Sequence, residues 1–263
     1  MKVGVIMVNY KNPKELRLTI RKGDYQDQTV GLCPGFVQTN LVILPSKYAI
    51  DFAAFCVRNP KPCPLLDISS PGKYNTYLAD GADLRTDLSK YHIYRNGKLE
   101  SVCNEVKSIW RDDYVCFLLG CSHTFEPFLL SAGIPLRYQE QNIHLSLYNT
   151  NIELFPVGPF KGTVIVSMRP IPKEKVAQAT VISARYPRVH GGPLHIGNPS
   201  LIGVDLDDQY VGDRVNFLPG DVPVFWACGV TPQHIALKVK IPYMITHAPG
   251  HMFVTDFLAE DIG

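Results

Sequence analysis

Tyr91-His-Ile-Tyr-Arg95, Asn96-Gly97, Lys98-Leu-Glu-Ser-Val102 is the stretch on which the fold class turns. Asn-Gly supplies the two positive-φ residues of a type I′ turn, so the flanking segments read as two short antiparallel strands. A hairpin at this point in the chain, with no regular βαβ rhythm around it, argues against a doubly wound parallel sheet.

Toward the N-terminus, Asn12-Pro13-Lys14-Glu15 reads as a helix start, with an N-cap side chain, Pro at the first helical position and Glu closing a capping box. Gly23 stops that helix. Leu41 to Leu44 is a buried-strand run ended by Pro45. Ser46 is expected to cap a second helix whose Ile50, Ala53, Ala54 and Val57 repeat at helical spacing. Pro60, Pro62, Pro64 and Pro71 predict an irregular segment over 59–72.

Toward the C-terminus, 112–119 and 124–132 read as two short helices broken at Gly120, the second stopped by Gly133. Thr163–Met168 is a strand, and Pro172–Arg185 a helix. Beyond Tyr186 the pattern changes to loops and short strands at 201–204, 222–227, 243–247 and 252–258, with one more helical turn starting at Thr231-Pro232. The expected fold is α+β and mixed, with a β-rich C-terminal half and short helices. Residues 1–263 form a single compact domain with room for a smaller lobe.

Composition excludes several functions. Of 263 residues, 46% are hydrophobic and 19% charged, which is incompatible with disorder. The net charge of +2, with no long Lys/Arg run, gives little attraction for nucleic acid. No stretch approaches the ~20 apolar residues of a membrane span. Met1 to Tyr10 lacks a small-residue cleavage site, so a signal peptide is not expected and the expected compartment is the cytoplasm. Seven cysteines, an odd number, are expected to be mostly reduced and buried.

Four Gly/Pro-rich segments concentrate reactive side chains: Gly120-Cys-Ser-His-Thr-Phe-Glu126, His190-Gly-Gly-Pro-Leu-His-Ile-Gly197, Trp226-Ala-Cys-Gly-Val-Thr-Pro-Gln233 and Thr246-His-Ala-Pro-Gly-His251. Cys121 and Ser122 precede a helix start whose backbone N–H groups can hold a carboxylate or oxyanion, with Glu126 one turn on as a proton-transfer group. The alternative is a helix cap over a buried thiol. Cys228 precedes Thr231-Pro232, where a thiol pKa can fall, or it packs as a small hydrophobe beside Phe225 and Trp226. His190/His195 and His247/His251 are loop pairs suited to proton transfer or hydrogen bonding. Convergence on zinc with Asp256 is the alternative, although no CxxC or HExxH spacing supports it. Arg85 and Arg169 are carboxylate forks, for a substrate or for a structural ion pair. Neither a metal nor a cofactor is expected.

Taken together and in order, these segments resemble the D-glutamate cyclase family, whose bacterial members are described as hydro-lyases. The matching strings are Pro34-Gly-Phe-Val-Gln-Thr-Asn-Leu-Val-Ile-Leu-Pro45, Asp51-Phe…Phe55-Cys…Asn59-Pro…Cys63-Pro-Leu, Asp83-Leu-Arg-Thr-Asp87, Phe117-Leu-Leu-Gly-Cys-Ser122, Val166-Ser-Met-Arg-Pro170, His190 to Gly197, Pro223-Val-Phe-Trp-Ala-Cys-Gly-Val-Thr-Pro-Gln233 and Ile245-Thr-His-Ala-Pro-Gly-His-Met252. They span roughly residues 30–257. His123 stands where the resemblance leads one to expect an aromatic residue, Gly192 where it implies Ala, and Asn149 where it implies Arg.

The resemblance implies water-eliminating closure of D-glutamate to 5-oxo-D-proline. On that reading Arg169 and Arg85 hold the carboxylates, with Ser122, His190 and His195 as further substrate contacts. The 121–122 backbone holds the oxyanion, His247 or His251 takes the ammonium proton, and Glu126 protonates the departing oxygen. A thioester at Cys121 or Cys228 is disfavoured because an ionised carboxylate is a poor acceptor. The partner is a small carboxylate substrate. A hydroxy-acid dehydratase and a non-catalytic, partner-dependent metabolite binder are the alternatives, and a homo-oligomer is the default assembly.

Overall fold

The computed structural model describes residues 10–262. The N-terminal segment read for a signal peptide therefore lies, up to residue 9, outside the described residues. The strands in chain order are β1 (Phe36–Pro45), β2 (Leu65–Ile68), β3 (Tyr91–Arg95), β4 (Lys98–Cys103), β5 (Tyr114–Gly120), β6 (Leu147–Glu153), β7 (Thr163–Pro172), β8 (His195–Ile196), β9 (Asp221–Ala227), β10 (Tyr243–His247) and β11 (Phe253–Leu258). The helices are α1 (Pro13–Lys22), α2 (Ala49–Arg58), α3 (Glu126–Ser131), α4 (Arg137–Glu140), α5 (Val176–Ala184) and α6 (Val230–Lys238). The fold is α+β, with two antiparallel sheets.

One sheet has the order β2-β5-β1-β10-β3-β4, with β11 also on β1; the other has the order β6-β7-β9-β8. β1 and β5 are buried on nearly every residue because both of their faces are covered, which is why they show no period-two alternation. They pair from Thr39 opposite Gly120 to Pro45 opposite Tyr114. The hairpin at 91–103 forms as expected, with Asn96 and Gly97 at φ 50° and 78°.

On its other side β1 meets a strand in two pieces. Val42 and Ile43 pair with Thr246 and Ile245 of β10, whereas Gln38 and Thr39 pair with Val254 and Phe253 of β11. Between them, residues 248–252 leave the sheet, and Asn40 and Leu41 have no strand partner on that side. Thr29 anchors this bulge through its backbone N–H to the Gly250 carbonyl (2.8 Å) and its hydroxyl to the Met252 carbonyl (3.0 Å).

Several local expectations need correction. Residues 112–119 are not a helix: from Tyr114 the segment is β5, an inner strand whose continuous apolar run mimics a buried helix. Residues 201–204 are not a strand, because Asn198 caps a single 3₁₀ turn over Pro199–Ile202. β2 lies inside the segment expected to be irregular, and β6 was not anticipated. Ser46 makes no side-chain cap, since a 3₁₀ turn over Ser46–Tyr48 leads into α2. The stripe Ile50/Val57 faces outward at 82% and 68% exposure, while Phe52, Phe55 and Cys56 enter the core. By contrast α1 starts as read, the Asn12 side chain accepting from the Glu15 N–H at 3.1 Å. All seven cysteines are unpaired, and six are buried. No helix among the described residues is long and apolar enough to cross a membrane.

Candidate functional site

β5 of the larger sheet and β9 of the smaller one are each followed directly by a cysteine and then a helical segment: Gly120-Cys121-Ser122-His123 and Ala227-Cys228-Gly229-Val230. Both ends open on one cavity of about 330 Å³. Asn40 and His247, at the break between β10 and β11, form another part of its wall, and His144 and Asp213 line it as well. The rest is largely apolar, including Ile143, Leu145, Leu147, Val211 and Met252.

Beneath Ser122 lies a buried ionic knot. Arg169, on β7, donates to Glu126 Oε1 from Nε (2.9 Å) and from a terminal nitrogen (2.6 Å), and to the hydroxyls of Ser167 (3.0 Å) and Ser122 (3.3 Å). Glu126 Oε2 accepts from the Tyr138 hydroxyl (2.8 Å) and from His123 Nδ1 (2.8 Å). Burial alone would raise the Glu126 pKa, but the His123 and Arg169 charges and their hydrogen bonds bring it down to about 2. The carboxylate is therefore ionised and fully engaged, which corrects its reading as the proton donor. Because an ionised carboxylate only accepts, His123 carries its proton on Nδ1, and its Nε2 edge is the one left for the cavity.

A second carboxylate–imidazole pair lies on the cavity wall. Asp213 Oδ2 accepts from both the backbone N–H and Nδ1 of His144, each at 2.8 Å. These bonds, backbone first, hold the Asp213 carboxyl below the usual carboxylate range. The pair is registered by a short bridge in which Leu147 donates to the Val211 carbonyl (2.8 Å) and Tyr210 donates to the Leu147 carbonyl (2.8 Å). Gly212, at φ 90°, lets the backbone pass so close to the Leu145 carbonyl that a Cβ there would overlap it.

His247 is placed differently from the expected base. The Leu41 N–H, unpaired by β10 or β11, donates to His247 Nδ1 at 3.1 Å, and Gln233 Nε2 lies 2.8 Å from the same nitrogen. Nδ1 is thus an acceptor, so the neutral ring bears its proton on Nε2 and is a donor to the cavity. Burial pushes its pKa down to about 3, so the ring is neutral. His251, which is not among the cavity-lining residues, bonds Ser89 Oγ through Nδ1 at 2.8 Å.

The remaining expected residues are not brought together there. The Arg85 fork is filled by Asp83, at 2.9 and 2.8 Å, and its guanidinium lies 3.3 Å over the Tyr74 ring. His190 is buried with Nδ1 2.9 Å from the Lys61 carbonyl, and His195 Nε2 is 2.8 Å from the Asn198 carbonyl. Asp256 is engaged by Arg17 through both oxygens. Among the described residues no lysine or arginine lines the cavity. Both arginine forks are occupied by protein carboxylates, which corrects their assignment to substrate. His123, His144, Asp213, Asn40 and Gln233 were missed as site residues. The readable hints were that His123 and Gln233 lie within two of the reactive segments and that His123 stands where the resemblance implies an aromatic ring.

Comparisons with known proteins show which family the chain resembles. A family model described as D-glutamate cyclase matches residues 115–256, which contain both cysteine-bearing strand ends and both histidine–carboxylate pairs. A protein of Natranaerobius thermophilus named "Putative hydro-lyase" is 50% identical over 248 residues, 94% of this chain and 95% of its own length. Proteins of the same name from Rubrobacter xylanophilus and Stutzerimonas stutzeri are 52% and 47% identical, covering 92% and 96% of this chain and 94% and 96% of their own lengths. With full-length identity at this level, the chain belongs to the D-glutamate cyclase family.

Proposed function

We propose that the cavity is the active site of a hydro-lyase that eliminates water from a small carboxylate-bearing metabolite, with D-glutamate closing to 5-oxo-D-proline as the specific reaction. The observation that carries this reading is the pair of imidazoles, His123 and His144, each tied through Nδ1 to a carboxylate and both lining one cavity. Lactam closure needs a base for the substrate ammonium and an acid for the departing oxygen, and two such rings supply both. His144, beside Asp213, takes one ammonium proton, the second passes to the former carboxylate oxygen as the ring closes, and His123, in its protonated form, delivers the proton with which that oxygen leaves as water. His247 Nε2–H is the donor for the carbonyl oxygen as charge gathers there. Holding the substrate curled makes the attack intramolecular, so no activating nucleotide is needed.

The test is NMR of the purified protein with D-glutamate, L-glutamate and 5-oxoproline, alongside several hydroxy-acids. Enantiomer-selective growth of 5-oxo-D-proline is the expected result. An unsaturated acid formed from a hydroxy-acid instead would make the protein a dehydratase. Thermal stabilisation by these acids without any turnover would make it a binder and end the catalytic reading.

A further inference from the structure

Asn40 lies on β1 at the break where neither β10 nor β11 pairs, and it is only 3% exposed. Its Nδ2 donates to the Gly120 carbonyl at the end of β5, at 3.0 Å. That bond fixes which way the amide faces, because the reversed amide would set two oxygens against each other. The same amide packs against the residue just before α6. Gly229 has an ordinary helical φ of −64°, so its missing side chain serves space rather than conformation: a Cβ there would overlap Asn40 Nδ2. Gly120 and Gly229 thus hold one amide in one orientation.

Held this way, Oδ1 has no hydrogen-bond partner among the described residues. The orphaned side-chain atoms sealed from solvent there are Gln38 Oε1, Tyr114 OH, His190 Nε2 and His234 Nε2, and Asn40 Oδ1 is not one of them. It opens instead on the cavity that Asn40 lines. A buried amide oxygen without a donor is costly, so its partner is expected from whatever fills the cavity. The other side-chain oxygens of the wall are served or exposed. Ser122 Oγ accepts from Arg169 (3.3 Å) and the Tyr138 hydroxyl from Gln139 (3.0 Å). Asp213 is taken by His144 and half-exposed, and Gln28 is exposed.

We propose that Asn40 Oδ1 receives the nitrogen-bound hydrogen that the substrate keeps throughout the reaction, and so selects an amine and its lactam over their oxygen analogues. This rests on the reading that the cavity closes D-glutamate to its lactam. One ammonium hydrogen goes to His144 and one to the departing oxygen; the third stays on nitrogen and becomes the lactam N–H. An acceptor fixed on that hydrogen leaves the nitrogen lone pair free for the carboxyl under attack. A lactone ring of the same shape has an oxygen at that position and no hydrogen to give. Set against Asn40 Oδ1, it leaves the amide unpaired and opposes two sets of lone pairs. Sites built to bond a substrate N–H reject the analogue lacking it far more strongly than sites that only fit its shape.

The test is calorimetric binding of 5-oxo-D-proline and of the γ-lactone of D-2-hydroxyglutarate to the full chain, beside the D-glutamate assay. The two rings share the carboxylate and the carbonyl and differ in N–H against O. The lactam should bind at least about tenfold more tightly, and in Asn40→Leu the ratio should fall to about one. A role confined to holding the Gly120 carbonyl would lower the melting temperature of that variant and leave the ratio as it was. Equal binding of the two rings by the wild-type protein, or tighter binding of the lactone, overturns the assignment without any variant. An undiminished ratio in Asn40→Leu overturns it as well. Cyclisation of D-glutamate by a protein that does not distinguish the rings removes Asn40 and leaves the hydro-lyase reading standing. Binding of neither ring, with no cyclisation, removes both.

Discussion

Glu126, at the start of α3, and Arg169, on β7, form a buried ion pair, with Oε1 receiving two guanidinium hydrogen bonds at 2.9 and 2.6 Å and neither side chain more than 4% exposed. Removing one member of such a pair leaves a buried charge with no partner, at a cost of about 3–5 kcal/mol. Glu126→Gln should therefore lower the melting temperature markedly as well as lose activity. The double variant Glu126→Gln/Arg169→Met should recover part of that stability in urea unfolding. A Glu126→Gln protein as stable as wild type would contradict the pairing.

The second carboxylate–imidazole pair separates chemistry from architecture, because His144 is largely exposed, at 69% of its side chain, and supports no core packing. His144→Gln should keep the fold and cut turnover by about 10²–10⁴-fold if the ring transfers the proton. Asp213→Asn should lower kcat with a smaller effect on KM, since the ring then loses its orientation rather than the substrate its contacts. His123→Phe keeps an aromatic ring without the proton, and full activity in that variant would remove His123 from the reaction.

Acid should unfold the protein from an unusually high pH. Burial brings His190 and His251 down to about 4 and His247 to about 3, from 6.5. Between pH 6.5 and these values the unfolded chain binds protons that the folded chain refuses, so stability rises with pH across the window and is lost as pH falls. Each ring contributes up to about 1.4 kcal/mol per pH unit there. Glu126, lowered from 4.5 to about 2, adds a further loss only below pH 4.5. Melting curves from pH 8 to pH 4 should show the decline starting near 6.5, and His247→Gln should flatten it.

Gly212 carries a prediction about geometry alone. An alanine Cβ would overlap the Leu145 carbonyl while the backbone holds φ at 90°, so the 210–213 segment must move. Gly212→Ala should detach Asp213 from His144, seen as faster amide exchange of His144 and Leu147, with the β1–β5 amides unchanged.

What could be read in the sequence was whatever depended on neighbours along the chain. Asn96-Gly97 forces its turn, and Asn12 with Pro13 starts α1, because the deciding contacts lie within three residues. The strand β5 was unreadable for the opposite reason: an element covered on both faces has no solvent side to imprint a period. The catalytic candidates divide the same way. Cys121, Ser122, Cys228 and His247 sit in glycine-bearing turns at strand ends, which draw the eye. His144 and Asp213 are 69 residues apart in ordinary polar loops, and only the bridge at Leu147 and Val211 makes them partners.

The interruption between β10 and β11 has a consequence for how this protein can vary. Both flanks of the 248–252 bulge are registered on the same strand, so its ends are fixed relative to each other by β1. Deleting or adding one residue would slip β11 by one position, turning Val254 outward and Asp256 away from Arg17. The segment can thus exchange side chains, and with them ligand preference, but its length is held constant by the sheet on either side. In this protein the cavity is tuned by substitution and closed to insertion at the point where His247 meets Leu41.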